Sequence, residues 1–332
     1  MGEFDLIERY FKRPTARAAL GIGDDCALLQ PSPGTQLAIS CDMLVEGRHF
    51  LSTIDPFRLG HKALAVNLSD LAACGAKPLA FTLALALPRA DEAWLAPFSQ
   101  GLLALADAHG CELIGGDTTQ GPLNICITVF GEVPVVGGRS QALLRSGAQE
   151  GDDLYVSGTV GDARLALEVF RGTVSVPAPV FDAARLRLEQ PTPRVALGLA
   201  LRGLATSAID ISDGLLGDLG HILKQSGVGA TVDTEATTNL IAACAYYTGA
   251  RGQLDLKPSP EQWLGWALAG GDDYEMLFTA PPAARDLVAA AALASQTPVT
   301  HIGHISRERG LRLVDGDGQS VANTFTSFDH FA

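Results

Sequence analysis

The sequence predicts an α+β protein built from two domains. Its 332 residues exceed what one hydrophobic core usually supports. The composition, 47% hydrophobic and 18% charged, is typical of a well-packed globular chain and not of a disordered one. Helical and strand patterns alternate irregularly, which favours α+β over a regular parallel sheet.

Local patterns in the first half predict three helices and five strands, the first of them a short apolar strand after 21–27. Phe4, Ile7 and Phe11 recur at helical spacing and predict a helix over 3–12. The pair Asp55-Pro56 predicts a second helix start, and a third helix should run over 91–109, because Gly110 suits a helix end. Apolar runs predict strands at 36–41, 81–87, 112–114 and 124–133.

The polar segment 143–150 predicts the connection to a second domain, which again contains both helical and strand patterns. Its predicted helices span 163–171, 194–202 and 216–225. Its predicted strands span 153–157, 208–211, 274–279, 299–305 and 311–314, and a hairpin turn should lie at 315–318.

Charge and cysteine content limit the partners and the compartment. With 24 basic and 37 acidic residues the net charge is -13, which disfavours nucleic acid and anionic membranes as partners. No apolar stretch is long enough to span a bilayer, and the first ten residues lack a signal-peptide pattern. The six cysteines form no C-x-x-C pair, so we expect free thiols in the cytoplasm.

Aspartates recur where strongly apolar segments end, usually beside glycine. Any single one is equally well explained as an ordinary turn residue. The set comprises Asp24, Asp25, Asp42, Asp117, Asp210, Asp213, Asp272 and Asp273.

Asp70 points more directly to a bound cation. It shares one stripe with Asn67 on a predicted helix that is apolar on nearly every face. A buried carboxylate costs several kcal/mol unless a cation or donor compensates it. Oxygen ligands without cysteine or histidine clusters favour Mg²⁺, Mn²⁺ or Ca²⁺. The basic residues from 21 to 136 are only Arg48, Arg58, Lys62, Lys77 and Arg89.

Phosphoryl transfer suits this pattern, because it needs positioning and charge neutralisation more than a covalent catalyst. The chain contains no Gly-Lys dipeptide, and hence no Walker A sequence, and no His-Arg-Asp or Asp-Phe-Gly kinase set. Both familiar types of nucleotide enzyme are therefore disfavoured.

Nine segments, in order, resemble the thiamine-monophosphate kinase family, which shares a superfamily with aminoimidazole ribonucleotide synthetase and selenophosphate synthetase. The segments are 21–27, 38–42, 46–50, 67–73, 114–119, 144–148, 209–214, 270–275 and 328–331.

The resemblance implies an enzyme that moves the γ-phosphoryl of ATP onto thiamine monophosphate, the last step of thiamine diphosphate biosynthesis. It implies an aminoimidazole ribonucleotide synthetase-like N-terminal domain at 1–147, for metal, nucleotide and dimerisation. A C-terminal domain at 148–332 would complete the site, with the active site in the cleft between the domains. Several Mg²⁺ ions, ATP as co-substrate and a homodimer are expected, and a K⁺ requirement stays open.

The resemblance also assigns site residues. Cys41 stands where the family usually has threonine, so only its main-chain carbonyl is carried over, and Asp272 is shorter than the family's frequent glutamate. The implied metal ligands are Asp25, Ser40, Cys41, Asp42, Asp70, Asp117, Asp210 and Asp213. The implied ATP contacts are Gly116, Asp117, Arg145 and Ser212. The implied thiamine contacts are His49, Asp272 and Phe328.

Physical arguments support several assignments and leave alternatives. Arg145 suits a bidentate phosphate contact, with a surface ion pair as the less favoured alternative. The cationic thiazolium suits an acid and an aromatic face, although Phe328 could pack in a core and His49 could be structural. The acceptor phosphate is largely dianionic, with a second pKa of about 6. It needs no general base, so we predict direct in-line transfer without a covalent catalytic residue.

Other functions remain possible on sequence. Selenophosphate synthetase is disfavoured because Cys26, the first cysteine, lies in the metal motif and lacks the expected lysine nearby. The hydrogenase-maturation relative usually ends in cysteine, whereas this chain ends in Ala332. A purine-precursor cyclo-ligase, a nucleotide-binding regulator without turnover and a metal-dependent hydrolase stay open.

Overall fold

A computed structural model describes residues 2–242 and 258–327. The chain divides into two compact units. Unit 1 comprises Met1–Leu71 and Ala76–Ala142, and unit 2 comprises Ala72–Gly75 and Leu143–Ala332. The two-domain α+β class predicted from the sequence is confirmed, and each unit is described separately below.

Unit 1 combines three helices with a sheet whose strand order is β3-β6-β4-β5. Strands β4 and β5 are parallel, and the other pairs are antiparallel. Its helices are α1 (Glu3–Tyr10), α2 (Pro56–Ala73, whose last two residues belong to unit 2) and α3 (Glu92–His109). Its strands are β1 (Ala18–Leu20), β2 (Leu28–Leu29), β3 (Thr35–Val45), β4 (Lys77–Leu87), β5 (Glu112–Gln120), β6 (Asn124–Val136) and β7 (Arg139–Ser140).

Helix α3 begins and ends where the sequence predicts. The Asp91 side chain accepts the Ala93 N–H at 3.0 Å, which satisfies one of the free donors at the helix start. Gly110 takes the left-handed conformation at the other end, with φ 58°. Between them Leu95, Phe98 and Leu102 are fully buried, so burial of one face stabilises the helix.

Helices α2 and α3 cross with their main chains in direct contact. A Cβ atom on Gly60 would lie 2.0 Å from the Phe98 carbonyl oxygen. A Cβ atom on Gly101 would lie 1.9 Å from the Phe57 carbonyl oxygen. Two glycines therefore set the spacing of the helices, one of which carries Asp70.

Unit 2 contains a seven-stranded sheet of order β14-β13-β10-β12-β8-β11-β9. Only β10 and β13 pair in parallel. Strands β8, β9 and β11 are buried along their whole length. The strands are β8 (Asp153–Ser157), β9 (Ser207–Ile211), β10 (Gly229–Asp233), β11 (Glu275–Ala280), β12 (Val299–Ser306), β13 (Gly310–Val314) and β14 (Ser320–Val321). The helices are α4 (Asp162–Phe170), α5 (Ala178–Glu189), α6 (Val195–Ala200), α7 (Leu215–Ser226), α8 (Thr234–Thr238), α9 (Pro260–Ala269) and α10 (Arg285–Ala294), with a 3₁₀ turn at Pro282–Ala284.

The predicted elements are confirmed within a few residues, with two kinds of exception. Asp42 and Asp117 were expected where strands end, but β3 and β5 continue to Val45 and Gln120. Pairing with β6 and β4 extends these strands past the aspartates. The hairpin turn is confirmed, because the Asp315 N–H donates to the Gln319 carbonyl at 2.9 Å. Elements without a predicted counterpart are α5, α8, α9, α10, β1, β7 and β10.

Across residues 2–242 and 258–327, none of the helices has the length and apolar character needed to traverse a bilayer.

We predict that Gly101→Ala lowers the free energy of unfolding by about 2 kcal/mol, because the new methyl group collides with the Phe57 carbonyl. The exposed neighbour Gln100, on the same helix, provides the control Gln100→Ala, with an expected change below about 0.5 kcal/mol. Urea unfolding measures both values. Equal stability of the two variants would contradict the close crossing of α2 and α3.

Candidate active site

A cleft of about 750 Å³ in unit 1 brings together three predicted site residues, Asp25, Gly116 and Asp117. Helix α1, the loop before β2 and strands β4 and β5 form its walls. The loop is shaped by Asp24, whose side chain accepts the Asp25 N–H at 3.0 Å. Apolar side chains such as Leu83 complete the lining, so the cleft offers carboxylates beside an apolar wall.

Gly116 is required by the sheet itself. Its φ is 147°, and a Cβ atom there would lie 1.8 Å from the Leu83 carbonyl oxygen. A Cβ atom on Gly115 would instead lie 3.8 Å from Thr82 Cγ2, which is ordinary contact. The close approach of β5 to β4 therefore fixes the main chain that carries Asp117.

A second group of predicted residues lies where β3 meets α2. The Ser40 hydroxyl donates to the Asp70 carboxylate. The Asn67 side-chain oxygen accepts the Asp42 N–H at 3.1 Å, while its nitrogen donates to the Ala63 carbonyl at 3.0 Å. Ser40 and Asp42 share one face of the strand, because side chains alternate along it. The structure thus brings Ser40, Asp42 and Asp70 to one region.

Cys41 lies on the opposite face of β3. Its Sγ is 3.4 Å from the Sγ of Cys126 on the neighbouring strand. Burial, together with the contact to Cys41, raises the pKa of the Cys126 thiol to about 11. Both sulfurs point away from the Asp70 side of the strand, which agrees with a ligand role for the Cys41 main chain only.

The donor chemistry fits a hard cation. The groups near Asp70 and Asp117 are carboxylate and hydroxyl oxygens, which Mg²⁺ and Ca²⁺ prefer. In the part of the chain that the structure describes, no three His, Cys, Asp or Glu side chains are grouped closely enough to hold a metal ion by themselves.

His49 lies in the turn after β3, and its ring orientation is defined. Its Nδ1 accepts the Val45 N–H at 3.0 Å. In the neutral ring the proton is therefore on Nε2, which can donate to a ligand. The side chain is half-buried, so it can be reached from solvent.

In unit 2, the end of β9 leads into a turn that Asp218 organises. Asp210 is buried in the strand, and the turn 212–214 follows. The Asp218 carboxylate accepts the N–H groups of Ser212 and Asp213 at 3.1 and 3.2 Å. Burial raises the pKa of Asp218 to about 7, although these N–H groups favour the charged form. Sequence reasoning missed Asp218; the only signal was its place in the first turns of α7.

A second turn, 270–274, packs directly against the first. The Asp272 N–H donates to the Ser212 carbonyl at 2.9 Å, and the Tyr274 N–H donates to the Ile211 carbonyl at 2.8 Å. A Cβ atom on Gly271 would lie 2.5 Å from the Ser212 oxygen, so only glycine fits there. Asp272 and Ser212, predicted as substrate and nucleotide contacts, are thus neighbours within unit 2.

Arg145 is exposed in a segment fastened to the same unit. The Leu144 carbonyl accepts the Ala208 N–H at 2.8 Å, beside the start of β9. The Ser226 hydroxyl accepts the Gly147 N–H at 3.1 Å. The main chain around Arg145 is therefore held, while its side chain faces solvent. Phe328 lies outside the described residues.

Comparison with family models places both parts of the chain in one class. Residues 23–133 match the N-terminal domain, and residues 149–316 the C-terminal domain, of AIR synthase related protein. The fold is thus that of an AIR synthase-related protein of two domains, as the sequence predicted.

Comparison with individual relatives identifies the family within this class. A thiamine-monophosphate kinase of Salmonella typhimurium is 46% identical over 337 residues, covering 100% of this chain and 98% of the relative. The crystal structure of a thiamine-monophosphate kinase from Stenotrophomonas maltophilia K279a is 45% identical, with a TM-score of 0.80 over 92% of both chains. AaThiL complexed with AMPPCP and TMP is 28% identical, with a TM-score of 0.73 over 91% of this chain and 89% of AaThiL. The chain belongs to the thiamine-monophosphate kinase family.

We predict that Gly116→Ala lowers the free energy of unfolding by about 3 kcal/mol, because the backbone conformation and the Leu83 carbonyl both exclude a side chain. Gly115→Ala is the matched control and should cost less than about 1 kcal/mol. Denaturant unfolding of the two variants, without substrates, separates this structural demand from any role in nucleotide binding. A Gly116→Ala protein as stable as its neighbour variant would contradict the strand geometry.

Proposed function

We propose that this chain catalyses the magnesium-dependent transfer of the γ-phosphoryl group of ATP to thiamine monophosphate. The products are thiamine diphosphate and ADP, and the step completes thiamine diphosphate synthesis. The observation that carries the proposal is the match to thiamine-monophosphate kinases over the full chain, which also covers 98% of the length of the Salmonella typhimurium relative. The AaThiL complex with AMPPCP and TMP supports the same pair of ligands.

The proposed nucleotide contacts draw on main-chain and cationic groups. Gly116 leaves main chain exposed at the cleft, next to Asp117. The exposed Arg145 suits bidentate contact with a phosphate. Ser212 lies in the turn before α7, where the Asp218 carboxylate accepts the N–H groups of Ser212 and Asp213. These residues orient the nucleotide.

The proposed thiamine contacts match a cation that carries a phosphate. Asp272 is the negative group that suits the thiazolium ring. His49 offers its Nε2 proton as a donor, because Nδ1 is already an acceptor for Val45. An aromatic face at Phe328 would suit the same cation.

The proposed metal ligands hold several Mg²⁺ ions. When bound, Mg²⁺ would reduce the repulsion between the triphosphate and the acceptor phosphate. The protein's part is to orient donors: Ser40 holds the Asp70 carboxylate, and Asn67 holds the main chain at Asp42. The ligand set is Asp25, Ser40, the Cys41 carbonyl, Asp42, Asp70, Asp117, Asp210 and Asp213.

Transfer is proposed to be direct and in line. The acceptor phosphate is already largely ionised, with a second pKa of about 6, so no side chain has to remove a proton. The residues need only hold donor and acceptor in alignment. No covalent protein intermediate is required.

We also propose functional domains at 1–147 and 148–332. The compact units divide between Ala142 and Leu143, and the family models leave 134–148 unmatched, which supports a boundary in this region. The free thiols of Cys26, Cys41, Cys111 and Cys126 agree with a reducing compartment, and we place the enzyme in the cytoplasm. Neither nucleic acid nor a membrane is proposed as a partner.

A homodimer is proposed through the outer face of β3. Ile39 and Met43 on this face are 61% and 53% exposed, and Leu37 is 43% exposed. The strand also forms the edge of its sheet. Apolar residues on an edge strand favour pairing, and two identical faces can cover each other.

Product analysis tests the proposed reaction. Purified protein is incubated with ATP, Mg²⁺ and thiamine monophosphate, with free thiamine, a chelator and NaCl in place of KCl as separate conditions. We expect ADP and thiamine diphosphate in equal amounts, only from the monophosphate and only with metal. ADP without thiamine diphosphate would move the acceptor to another member of the superfamily. Absence of nucleotide turnover would overturn the kinase assignment, and the KCl comparison decides the K⁺ requirement.

We predict that Asp70→Asn and Asp117→Asn each lower kcat about 100-fold, because they remove negative charge from the proposed Mg²⁺ ligands. Raising the Mg²⁺ concentration should recover part of the loss. The control is Asp107→Asn, which breaks only an exposed ion pair with Arg13 and should keep kcat within about twofold. If both site variants kept the wild-type kcat, Asp70 and Asp117 would be excluded as Mg²⁺ ligands.

We predict that Ile39→Glu converts the dimer to a monomer, because it places a charge in the centre of the proposed interface. Leu293→Glu changes an apolar residue of α10 that is 81% exposed and should leave the dimer intact. Light scattering after size-exclusion chromatography gives both masses. A dimeric Ile39→Glu protein, or a monomeric wild type, would exclude this interface.

A further inference from the structure

A buried cluster of charges follows the turn that carries Asp272. We define the Glu275 cluster as Glu275, Arg187, Arg194 and Ser157. Glu275 has no exposed surface. Its carboxylate accepts from Arg194 Nε and Nη2 at 2.6 and 2.5 Å, from Arg187 Nη2 at 2.5 Å and from the Ser157 hydroxyl at 2.5 Å.

The cluster is joined to the turn by direct hydrogen bonds. Arg187 Nη2 also donates to the main-chain carbonyl of Asp273 at 3.2 Å. The Asp273 carboxylate accepts the Gly161 N–H at 2.8 Å. On the other side, the Ser157 hydroxyl accepts the Met276 N–H at 2.8 Å. Hydrogen bonds therefore hold both the main-chain carbonyl and the side chain of Asp273, near the end of the turn.

The turn needs this support because its conformation is unfavourable. Asp272 and Tyr274 have φ values of 66° and 51°, in the left-handed region that non-glycine residues rarely adopt. Within residues 2–242 and 258–327, Gln296 is the third and last non-glycine residue of this kind. Such conformations persist only when the surroundings fix them, and they concentrate at binding sites.

Stability alone does not account for the charges. A buried ion pair can often be replaced by apolar side chains without loss of stability, because desolvation offsets the attraction. What two arginines on one carboxylate add is a fixed position, since the guanidinium geometry is planar and directional. Here that position is transmitted to the Asp273 carbonyl, one residue after Asp272.

We propose that the Glu275 cluster is a positioning device for Asp272, and that Arg187 is the residue that links the two. The cluster holds the turn so that the Asp272 carboxylate meets the cationic ring of the acceptor substrate. This inference rests on the proposed function, in which that substrate is thiamine monophosphate. It assigns to Arg187 an effect on acceptor binding that acts through the main chain at Asp273.

Nucleotide binding should be affected much less. Ser212 is held independently of the cluster, because Asp218 accepts its N–H at 3.1 Å. A looser 270–274 turn therefore leaves the Ser212 turn with its own support. The expected signature is a change in the KM for the acceptor without an equal change in the KM for ATP.

The test compares two arginines of the same helix in the full-length enzyme. Arg187→Met removes the link to Asp273, and Arg187→Lys restores a charge without the planar fork. The control is Arg185→Met, two residues before Arg187. This change breaks the 2.9 Å ion pair between Arg185 and the buried Glu189. Steady-state kinetics with thiamine monophosphate and with ATP, together with melting temperatures, are measured for each.

We expect Arg187→Met to raise the KM for thiamine monophosphate about tenfold or more, with the KM for ATP and kcat within about threefold. Arg187→Lys should give a smaller rise, and Arg185→Met should keep both KM values near wild type. Equal rises in both KM values, a wild-type acceptor KM in Arg187→Lys and Arg187→Met, or the same pattern in Arg185→Met would overturn the inference. Should Arg187→Met fail to fold, the acceptor KM of Arg187→Lys decides. A wild-type enzyme that makes no thiamine diphosphate would instead overturn the proposed function.

Discussion

The need to compensate carboxylate charge shapes both units of this protein. The chain has a net charge of -13, and its proposed metal ligands are mostly aspartates. Unit 2 compensates Glu275 internally, with Arg187 and Arg194 against one fully buried carboxylate. In unit 1 the Ser40 hydroxyl donates to the Asp70 carboxylate. The proposed Mg²⁺ ions would add to the compensation of carboxylate charge in unit 1.

Direct main-chain contact places these charges accurately. At Gly116 the strand that carries Asp117 lies against Leu83 with no room for a side chain. At Gly271 the turn that carries Asp272 also lies too close to the Ser212 carbonyl for a side chain. Contacts between main chains leave less freedom than contacts between side chains, so they suit a reaction in which alignment matters more than chemistry by the protein.

Much of the fold and of the site could be predicted because the signals are local. Asp91 and Gly110 mark the two ends of helix α3 in the sequence. The motifs of the site are short segments that follow one another in the family's order. The position of Asp117 within a strand could not be predicted, because β5 continues only by pairing with β4, some thirty residues earlier. Glu275 and Arg187 are 88 residues apart, so no local pattern reports their contact. Asp218 was missed for a different reason: an acidic residue in the first turns of a helix is common.

The central claim is that the γ-phosphoryl group of ATP passes to the acceptor phosphate in one displacement, without a phosphorylated protein intermediate. The stereochemical course at phosphorus tests this claim most directly. The enzyme would be given ATP that carries a γ-thiophosphate made chiral with oxygen isotopes, and the configuration of the transferred group in the thiamine product would be determined. One in-line displacement predicts inversion of configuration at phosphorus. Retention would require two displacements and a phosphorylated protein group, and would contradict the account.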